Sequence, residues 1–155
     1  MLSLVAMFLG VVALAQEECY DPTAIAFTAT LTENTTIATN QTVIYNNAIT
    51  NIGNGYDRNT GIFTAPLAGL YVIQLSLRSQ KDSEAWLELF VNEKYTISAY
   101  SKVASGQGAA GNLALLTLKA GDRVQVKAHR QSLLYGTADD QYTTLSGYLI
   151  ASKSD

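Results

Sequence analysis

The chain has 155 residues, of which 48% are hydrophobic and 15% charged, with a formal net charge of −3. This length predicts one domain, and the apolar content is sufficient for a core. The composition excludes an intrinsically disordered chain, and the slightly acidic balance lacks the basic surface on which nucleic-acid binding depends. We therefore expect no nucleic-acid partner.

Residues 1–15 form an uncharged apolar run that ends in the triplet Ala13-Leu14-Ala15, a small-x-small cleavage pattern. Residues 16–18 are polar. The pattern predicts a secretory signal peptide over residues 1–15. A membrane anchor is disfavoured, because the run is shorter than the roughly 20 residues that span a bilayer core. We expect a secreted, extracellular protein that does not insert into the membrane.

Cys19 is the only cysteine in the chain, so no intrachain disulfide can form. It lies in residues 16–23, which we interpret as an N-terminal tail between the cleavage point and the domain. A lone cysteine in a secreted chain favours an interchain disulfide. An unpaired thiol on a loose tail is the alternative interpretation.

A first β-prone run covers residues 24–29, and a threonine-rich segment with two Asn-x-Thr sequons follows it. The sequons begin at Asn34 and Asn40. Both lie in polar surroundings, as expected of exposed loops. In a secreted chain the pattern predicts that Asn34 and Asn40 carry glycans. Chance occurrence in Asn/Thr-rich sequence is the alternative.

Further strands are predicted at 43–46, in two halves of 61–77 separated at Pro66, and at 85–91, 95–100, 112–118, 124–129 and 142–150. Residues 47–59, 78–84, 105–111 and 131–141 are predicted turns or loops, because they are rich in Asn, Gly, Asp and other polar residues. In the strand that begins at Gly69, one face is apolar and the other becomes polar after Val72, which is typical of a sheet buried on one side. Residues 112–118 fit neither the helical nor the strand period, and their length and flanking glycines favour a strand over a helix. Short strands with regular turns favour an antiparallel sandwich or jelly roll.

The motif Tyr56-Asp57-x-x-Thr60-Gly61-x-Phe63-Thr64-Ala65-Pro66, with Gly69-x-Tyr71 behind it, lies at the centre of the chain. Further motifs are Ala26-Phe27-Thr28-Ala29, Asn51-x-Gly53, Gly121-Asp122-x-Val124 and Ser146-Gly147-Tyr148-Leu149. In these motifs the sequence resembles the globular-head domain of complement component 1q, one of the tumour-necrosis-factor-like jelly rolls. The resemblance covers residues 24–152.

The resemblance implies an all-β fold, an antiparallel ten-stranded jelly-roll sandwich, that assembles as a homotrimer. Phe63 and Tyr71 are expected to hold the core of this sandwich. Trp86 and Phe90 share one strand face and are candidates for the apolar contacts along the three-fold axis. The alternative is that these two side chains fill the core of their own domain.

The family resemblance also implies a function. It indicates a short secreted protein without a collagen-like stalk, acting as a lectin-like recognition molecule of innate immunity on carbohydrate or microbial surface ligands. A secreted structural or signalling trimer, acting through a protein receptor or matrix partner, is the alternative. No catalytic motif occurs, and His129, the only histidine, has no partner that the sequence identifies, so we expect no enzyme.

In this fold the loops are expected to carry recognition while the sandwich holds them in place. The candidate ligand-binding residues are Arg130, Tyr135, Asp140 and Tyr142, because arginine pairs with anions and tyrosine stacks on sugar rings. Asp139 and Asp140 together form a candidate calcium site. Calcium requires several oxygen ligands, so neighbouring chains would have to complete such a site, and a solvated loop is the alternative.

Overall fold

The computed structural model describes residues 23–153, and the predicted signal peptide and Cys19 lie outside this range. No helix in residues 23–153 is long and apolar enough to cross a membrane. The described chain consists of twelve strands joined by turns: β1 Ala26–Thr30, β2 Thr35–Ile37, β3 Asn47–Ile52, β4 Tyr56–Asp57, β5 Ile62–Thr64, β6 Gly69–Arg78, β7 Glu84–Val91, β8 Lys94–Lys102, β9 Ala109–Leu118, β10 Arg123–Ala128, β11 Ser132–Leu134 and β12 Thr144–Ser152.

Ten of these strands form two five-stranded antiparallel sheets. The first sheet has the order β3-β1-β12-β6-β9, and the second has the order β4-β5-β10-β7-β8. β2 and β11 pair separately as a two-stranded ribbon. The consecutive pairs β4–β5 and β7–β8 lie within the second sheet, whereas β6 and β9 of the first sheet are each flanked in sequence by strands of the second, so the chain crosses the sandwich repeatedly. The predicted ten-stranded, antiparallel jelly roll is therefore confirmed.

The core lies between the two sheets and is filled by alternate side chains of their central strands. In β6 the side chains of Tyr71, Ile73 and Leu75 are fully buried, as the predicted alternation requires. From the second sheet, Leu87 and Leu89 of β7 are also 0% exposed. Their neighbours Trp86 and Phe90 consequently lie on the outer face of the second sheet, so the interpretation that they fill the core is wrong.

An aromatic cluster anchors one end of the core. The rings of Phe27 and Phe63 stack with centroids 4.5 Å apart, and Phe27 also stacks on Tyr56 at 5.4 Å. Tyr71 meets Phe63 edge-on at 5.8 Å. The Tyr56 hydroxyl donates a hydrogen bond to the Tyr45 carbonyl oxygen at 2.9 Å. The central motif, residues 56–71, thus contributes to the core of the fold. The prediction that Phe63 and Tyr71 hold the core is confirmed.

The turn between β4 and β5 is fixed by Asp57. Its carboxylate accepts hydrogen bonds from the Asn59 amide and the Thr60 hydroxyl, both at 2.9 Å. These bonds hold the pKa of Asp57 below its usual value. Gly61 ends the turn with φ at +74°, and a Cβ there would lie 2.4 Å from the Val43 carbonyl oxygen. Only glycine fits this position without strain.

The predicted strand boundaries are wrong in several places. Residues 43–46 form no strand; the side chains of Val43 and Tyr45 enter the core, but the segment only bridges to β10. The predicted turns of 47–59 contain β3 and β4, the predicted loop 105–111 includes the start of β9, and 131–141 contains β11. β3, β9 and β11 pair with β1, β6 and β2, which are distant in sequence, so tertiary pairing overrides their local turn-like composition. β4 instead forms a local hairpin with β5.

Candidate functional site

A cleft of about 360 Å³ opens at the end of the first sheet where β6 finishes and β9 begins. Its lining consists of Ser76, Leu77, Arg78, Ala109, Ala110, Gly111 and Tyr142. The guanidinium carbon of Arg78 lies 4.2 Å from the ring centroid of Tyr142 and 5.8 Å from that of Tyr135. We call this group, together with the lining residues, the Arg78 cleft.

The Thr143 hydroxyl and one backbone hydrogen bond hold the backbones of Arg78 and Tyr135 in register. The Arg78 amide donates to Thr143 Oγ1 at 3.1 Å, and the Thr143 hydroxyl donates to the Tyr135 carbonyl oxygen at 2.6 Å. The Tyr135 amide in turn donates to the Arg78 carbonyl oxygen at 2.8 Å. Thr143 is fully buried and lies between Tyr142 and the first residue of β12. The geometry of the cleft is therefore set before any ligand arrives.

The charge of Arg78 is not neutralised within the described chain. Its Nε atom is buried without a hydrogen-bond partner in residues 23–153. No carboxylate of that range lies within ion-pair distance of it, since the salt bridges present there involve other residues. The contacts with the rings of Tyr142 and Tyr135 compensate part of the desolvation by cation–π attraction. The guanidinium is therefore available to an external anion.

The structure brings two of the predicted binding residues, Tyr135 and Tyr142, to this cleft, but it places Arg130 elsewhere. Arg130 lies on the outer face of the second sheet, where its Nη1 is 3.3 Å from Glu84 Oε1. Its guanidinium also lies 4.9 Å from the Trp86 ring. No hydrogen bond, ion pair or ring contact in the described chain joins Arg130 to either tyrosine. The predicted set of four residues is thus divided between two surfaces.

The surface around Trp86 forms a second cluster in which the charges are paired. The His129 ring stacks on Trp86 with centroids 4.0 Å apart, and His129 Nδ1 lies 2.9 Å from Glu88 Oε1. Tyr100 contacts the indole edge-on at 5.0 Å. Since His129, Arg130 and Tyr100 all contact the indole ring, little of it is left for a ligand. This arrangement is that of a packed surface cluster.

Asp139 and Asp140 lie exposed in the loop that leads to Tyr142. The Tyr142 amide donates to the Asp140 backbone carbonyl at 3.0 Å, but neither carboxylate is held by another residue of the described range. Residues 23–153 contain no group of three or more His, Cys, Asp or Glu side chains that could hold a metal ion. The residues of one chain therefore do not fit a complete calcium site, and calcium binding at this pair stays a prediction.

Both predicted glycosylation sites lie on exposed segments. Asn34 Oδ1 accepts a hydrogen bond from the Gly136 amide at 3.2 Å, while its Nδ2 atom donates no hydrogen bond to a described residue. Asn40 occupies a turn with φ at 62°. Occupancy of the two sequons stays a prediction.

Sequence reasoning missed Arg78, because it was assigned to the polar loop 78–84. The strand continues through Arg78. The alternation of β6 was the available signal: residues at even positions face outward after Val72, so Gln74, Ser76 and Arg78 share the outer face of the first sheet. Extending that period by two residues would have placed the arginine on the same surface as Ser76.

The opposite end of the same sheet face is apolar. Tyr148 of β12 pairs with Val72 of β6, which in turn pairs with Leu115 of β9. Tyr148 and Leu115 are 52% and 61% exposed. We call these three residues the apolar row. Adjacent exposed apolar residues extend it: Leu70, Leu113 and Ile150.

Comparison with known proteins identifies related sequences. The family model described as C1q domain matches residues 26–150. The chain is 29% identical over 116 residues to complement C1q tumor necrosis factor-related protein 6 of Mus musculus, covering 73% of this chain and 44% of that protein. It is 33% identical over 129 residues to Caprin-2 of Danio rerio, covering 81% of this chain and 14% of that protein. The chain thus spans less than half the length of these curated relatives.

Solved structures share the fold. The globular domain of zebrafish complement 1qA protein superposes with a TM-score of 0.68 at 20% identity, covering 83% of this chain and 98% of that chain. Eiger TNF from S. frugiperda gives a TM-score of 0.67 at 14% identity, covering 85% of this chain and 96% of that chain. At these identities the comparison shows the fold alone, a tumour-necrosis-factor-like jelly roll.

Proposed function

The chain belongs to the C1q domain family, and we propose that it is a secreted, trimeric recognition protein of innate immunity that binds carbohydrate or microbial surface ligands in a lectin-like manner. One observation carries the recognition part of this proposal. The Arg78 cleft combines an unpaired cation, two tyrosine rings and open volume on a prearranged scaffold. Binding sites for small ligands have this composition, an aromatic lining with few polar groups.

The apolar row supports the trimeric part of the proposal. Monomeric proteins rarely leave a contiguous apolar surface exposed, and such surfaces indicate a protein contact. The apolar row lies on an exposed face of the first sheet. In a homotrimer, neighbouring copies of the chain would bury this face. Three clefts on one particle would then bind a repetitive surface with an avidity that exceeds the affinity of each site.

The remaining parts of the proposal follow from the sequence. The predicted signal peptide and the two exposed sequons support secretion and glycosylation of the mature chain. The protein acts by binding and not by catalysis: in the described chain His129 pairs with Glu88 and contacts Trp86, and neither is a nucleophile that it could activate.

The test has two parts: the oligomeric state of the secreted protein is measured first, and its ligand binding is then screened. Light scattering coupled to gel filtration is expected to give the mass of a trimer. A glycan array and whole microbes are expected to bind the trimer, and repetition with a calcium chelator decides whether calcium is required. A Leu115→Asp variant in the apolar row should dissociate the trimer and lose the avidity, whereas Thr64→Asp on the exposed face of β5 should do neither.

Two results would contradict the proposal. If the wild-type protein is monomeric at micromolar concentration, the proposal that it acts as a trimer is wrong. A trimer that binds no saccharide and no microbe, but saturates a cell-surface protein without competition by sugars, would favour the structural or signalling alternative.

A further inference from the structure

We propose that the Arg78 cleft is specific for a carboxylate group carried on a saccharide ring, so that its ligand is an acidic sugar of the uronic-acid type. This inference rests on the proposed recognition function and narrows it to one chemical class. It follows from four features of the described residues. These are the unpaired charge of Arg78, the presence of one cation in the lining, the shape of the cleft and its position on the sheet.

The charge of the cleft selects an anion. Arg78 is the only charged residue of the lining, and the other lining residues are neutral. The exposed carboxylates of Asp139 and Asp140 in the neighbouring loop make no ion pair with it. A partly buried guanidinium without a counter-charge carries a desolvation penalty, and a bound anion would remove it. Arg130, by contrast, already pairs with Glu84.

The number and geometry of the donors select a carboxylate. A guanidinium presents two parallel N–H groups that match the two oxygens of a carboxylate. Sites for phosphate groups gather several cations or a run of backbone amides, and this cleft offers one cation. The Ser76 hydroxyl, which also lines the cleft and makes no hydrogen bond to a described residue, provides one further donor for a neutral oxygen.

The shape of the cleft accommodates a ring beside the carboxylate. Beside Arg78, on the paired strand β9, the lining consists of the small residues Ala109, Ala110 and Gly111, and the cleft has a volume of about 360 Å³. Small-molecule sites occupy about 300–1,000 Å³. Tyr142 is 44% exposed and borders this space, so its ring offers an apolar surface on which a pyranose can stack.

The cleft and the centre of the apolar row lie at different points of the same sheet face. Arg78 lies six residues beyond Val72 on β6, which corresponds to about 20 Å along the strand. Leu113, which extends the row, lies two residues from the lining Gly111 on β9, so contacts between copies must stop short of Gly111 for the cleft to stay open. The hydrogen bonds of Thr143 hold Arg78 and Tyr135 in place there, so binding costs little ordering of the protein.

The experiment measures the affinity of the secreted protein for four probes by isothermal titration calorimetry at low salt. The probes are methyl β-glucuronide, methyl β-glucoside, acetate and inorganic phosphate. We expect methyl β-glucuronide to bind at least about tenfold more tightly than each of the other three, since it alone combines a carboxylate for Arg78 with a ring for Tyr142, and the pairing of one carboxylate with a guanidinium contributes on the order of a factor of ten or more. The preference should weaken as salt is added.

Variants assign the effect to the cleft. Arg78→Gln is expected to reduce the affinity for methyl β-glucuronide about tenfold or more and to abolish the preference over methyl β-glucoside. Arg78→Lys keeps the positive charge but lacks the two parallel N–H groups of the guanidinium, so it should give an intermediate loss of affinity. Arg58→Gln, at an exposed arginine in the turn between β4 and β5, is the matched control and should change nothing. The unfolding midpoint of each variant, measured in parallel, separates misfolding from loss of the site.

Several results would overturn the inference while leaving the recognition function standing. They are equal binding of glucuronide and glucoside, tighter binding of phosphate than of glucuronide, or a loss of affinity that follows Arg130→Gln instead of Arg78→Gln. Dissociation of the trimer by Arg78→Gln without any change in sugar preference would assign the arginine to a contact between copies. Failure of every saccharide, on the array as well as in the calorimeter, would instead overturn the proposed function itself.

Discussion

Replacement of Phe63 by alanine tests whether the central motif is scaffold and not site. Phe63 is 1% exposed, and its ring stacks on Phe27 and contacts the edge of Tyr71. Truncating a buried phenylalanine to alanine costs about 3–5 kcal/mol, and the lost ring pairs place this site at no less than the middle of that range. We expect a loss of about 4 kcal/mol in the free energy of unfolding, a large fraction of the 5–15 kcal/mol typical of domains.

The assay is urea unfolding followed by the fluorescence of Trp86, the only tryptophan of the chain. With a urea dependence of about 2 kcal/mol/M, a loss of 4 kcal/mol lowers the midpoint by about 2 M. Protein concentration must be held constant, because association stabilises the folded chain. Thr64→Ala, at the next and exposed residue of the same strand, is the matched control and should shift the midpoint little.

Two outcomes would refute this reasoning about Phe63. One is a loss below about 1.5 kcal/mol, which is too small for a close-packed buried ring. The other is a variant that keeps its unfolding midpoint but loses ligand binding, because that result would place Phe63 in the site.

Three further predictions concern backbone conformation, the support of the cleft and pH. Gly61→Ala should cost about 2 kcal/mol or more in a thermal or urea unfolding experiment, whereas Gly121→Ala, with φ at +88° but open space for a Cβ, should cost about 1 kcal/mol; equal losses would contradict the contact with the Val43 carbonyl. Thr143→Val should weaken the binding of methyl β-glucuronide and lower stability by about 2 kcal/mol, because the Arg78 amide loses its acceptor; unchanged affinity would separate Thr143 from the cleft. Asp57→Asn should lower the unfolding midpoint at pH 7 but not well below pH ~4, because a carboxyl whose folded pKa is depressed stabilises the fold above its unfolded pKa of about 3.9 and loses that contribution as the pH falls; a pH-independent difference would contradict the prediction.

The sequence predicted the centre of the sandwich more closely than its edges. Alternation of apolar residues in β6 identified its buried face, since the facing sheet removes that whole face from water. β3 was predicted as turns, because Asn47 and Asn51 have low strand propensity. They lie in an edge strand that β1 holds through its backbone ladder, and composition does not reveal such a partner.

The candidate site was partly predictable for a similar reason. Residues 131–141, which include Tyr135, were predicted as a loop, and Tyr142 was predicted as the first residue of the last strand, which begins at Thr144. No local pattern shows that both rings lie against Arg78. That contact depends on the pairing of β12 with β6 and on Thr143, which links the loop to the strand end. Arg130 was chosen for its chemistry alone, and its pairing with Glu84 depends on a strand distant in sequence.

A crystal structure of the secreted protein with methyl β-glucuronide bound tests the assignment of the Arg78 cleft most directly. We expect the carboxylate to lie about 2.7–2.9 Å from the terminal nitrogens of Arg78, with the sugar ring against Tyr142. Ligand density at the Trp86 cluster, or an Arg78 cleft filled by a side chain of a neighbouring copy, would contradict this assignment.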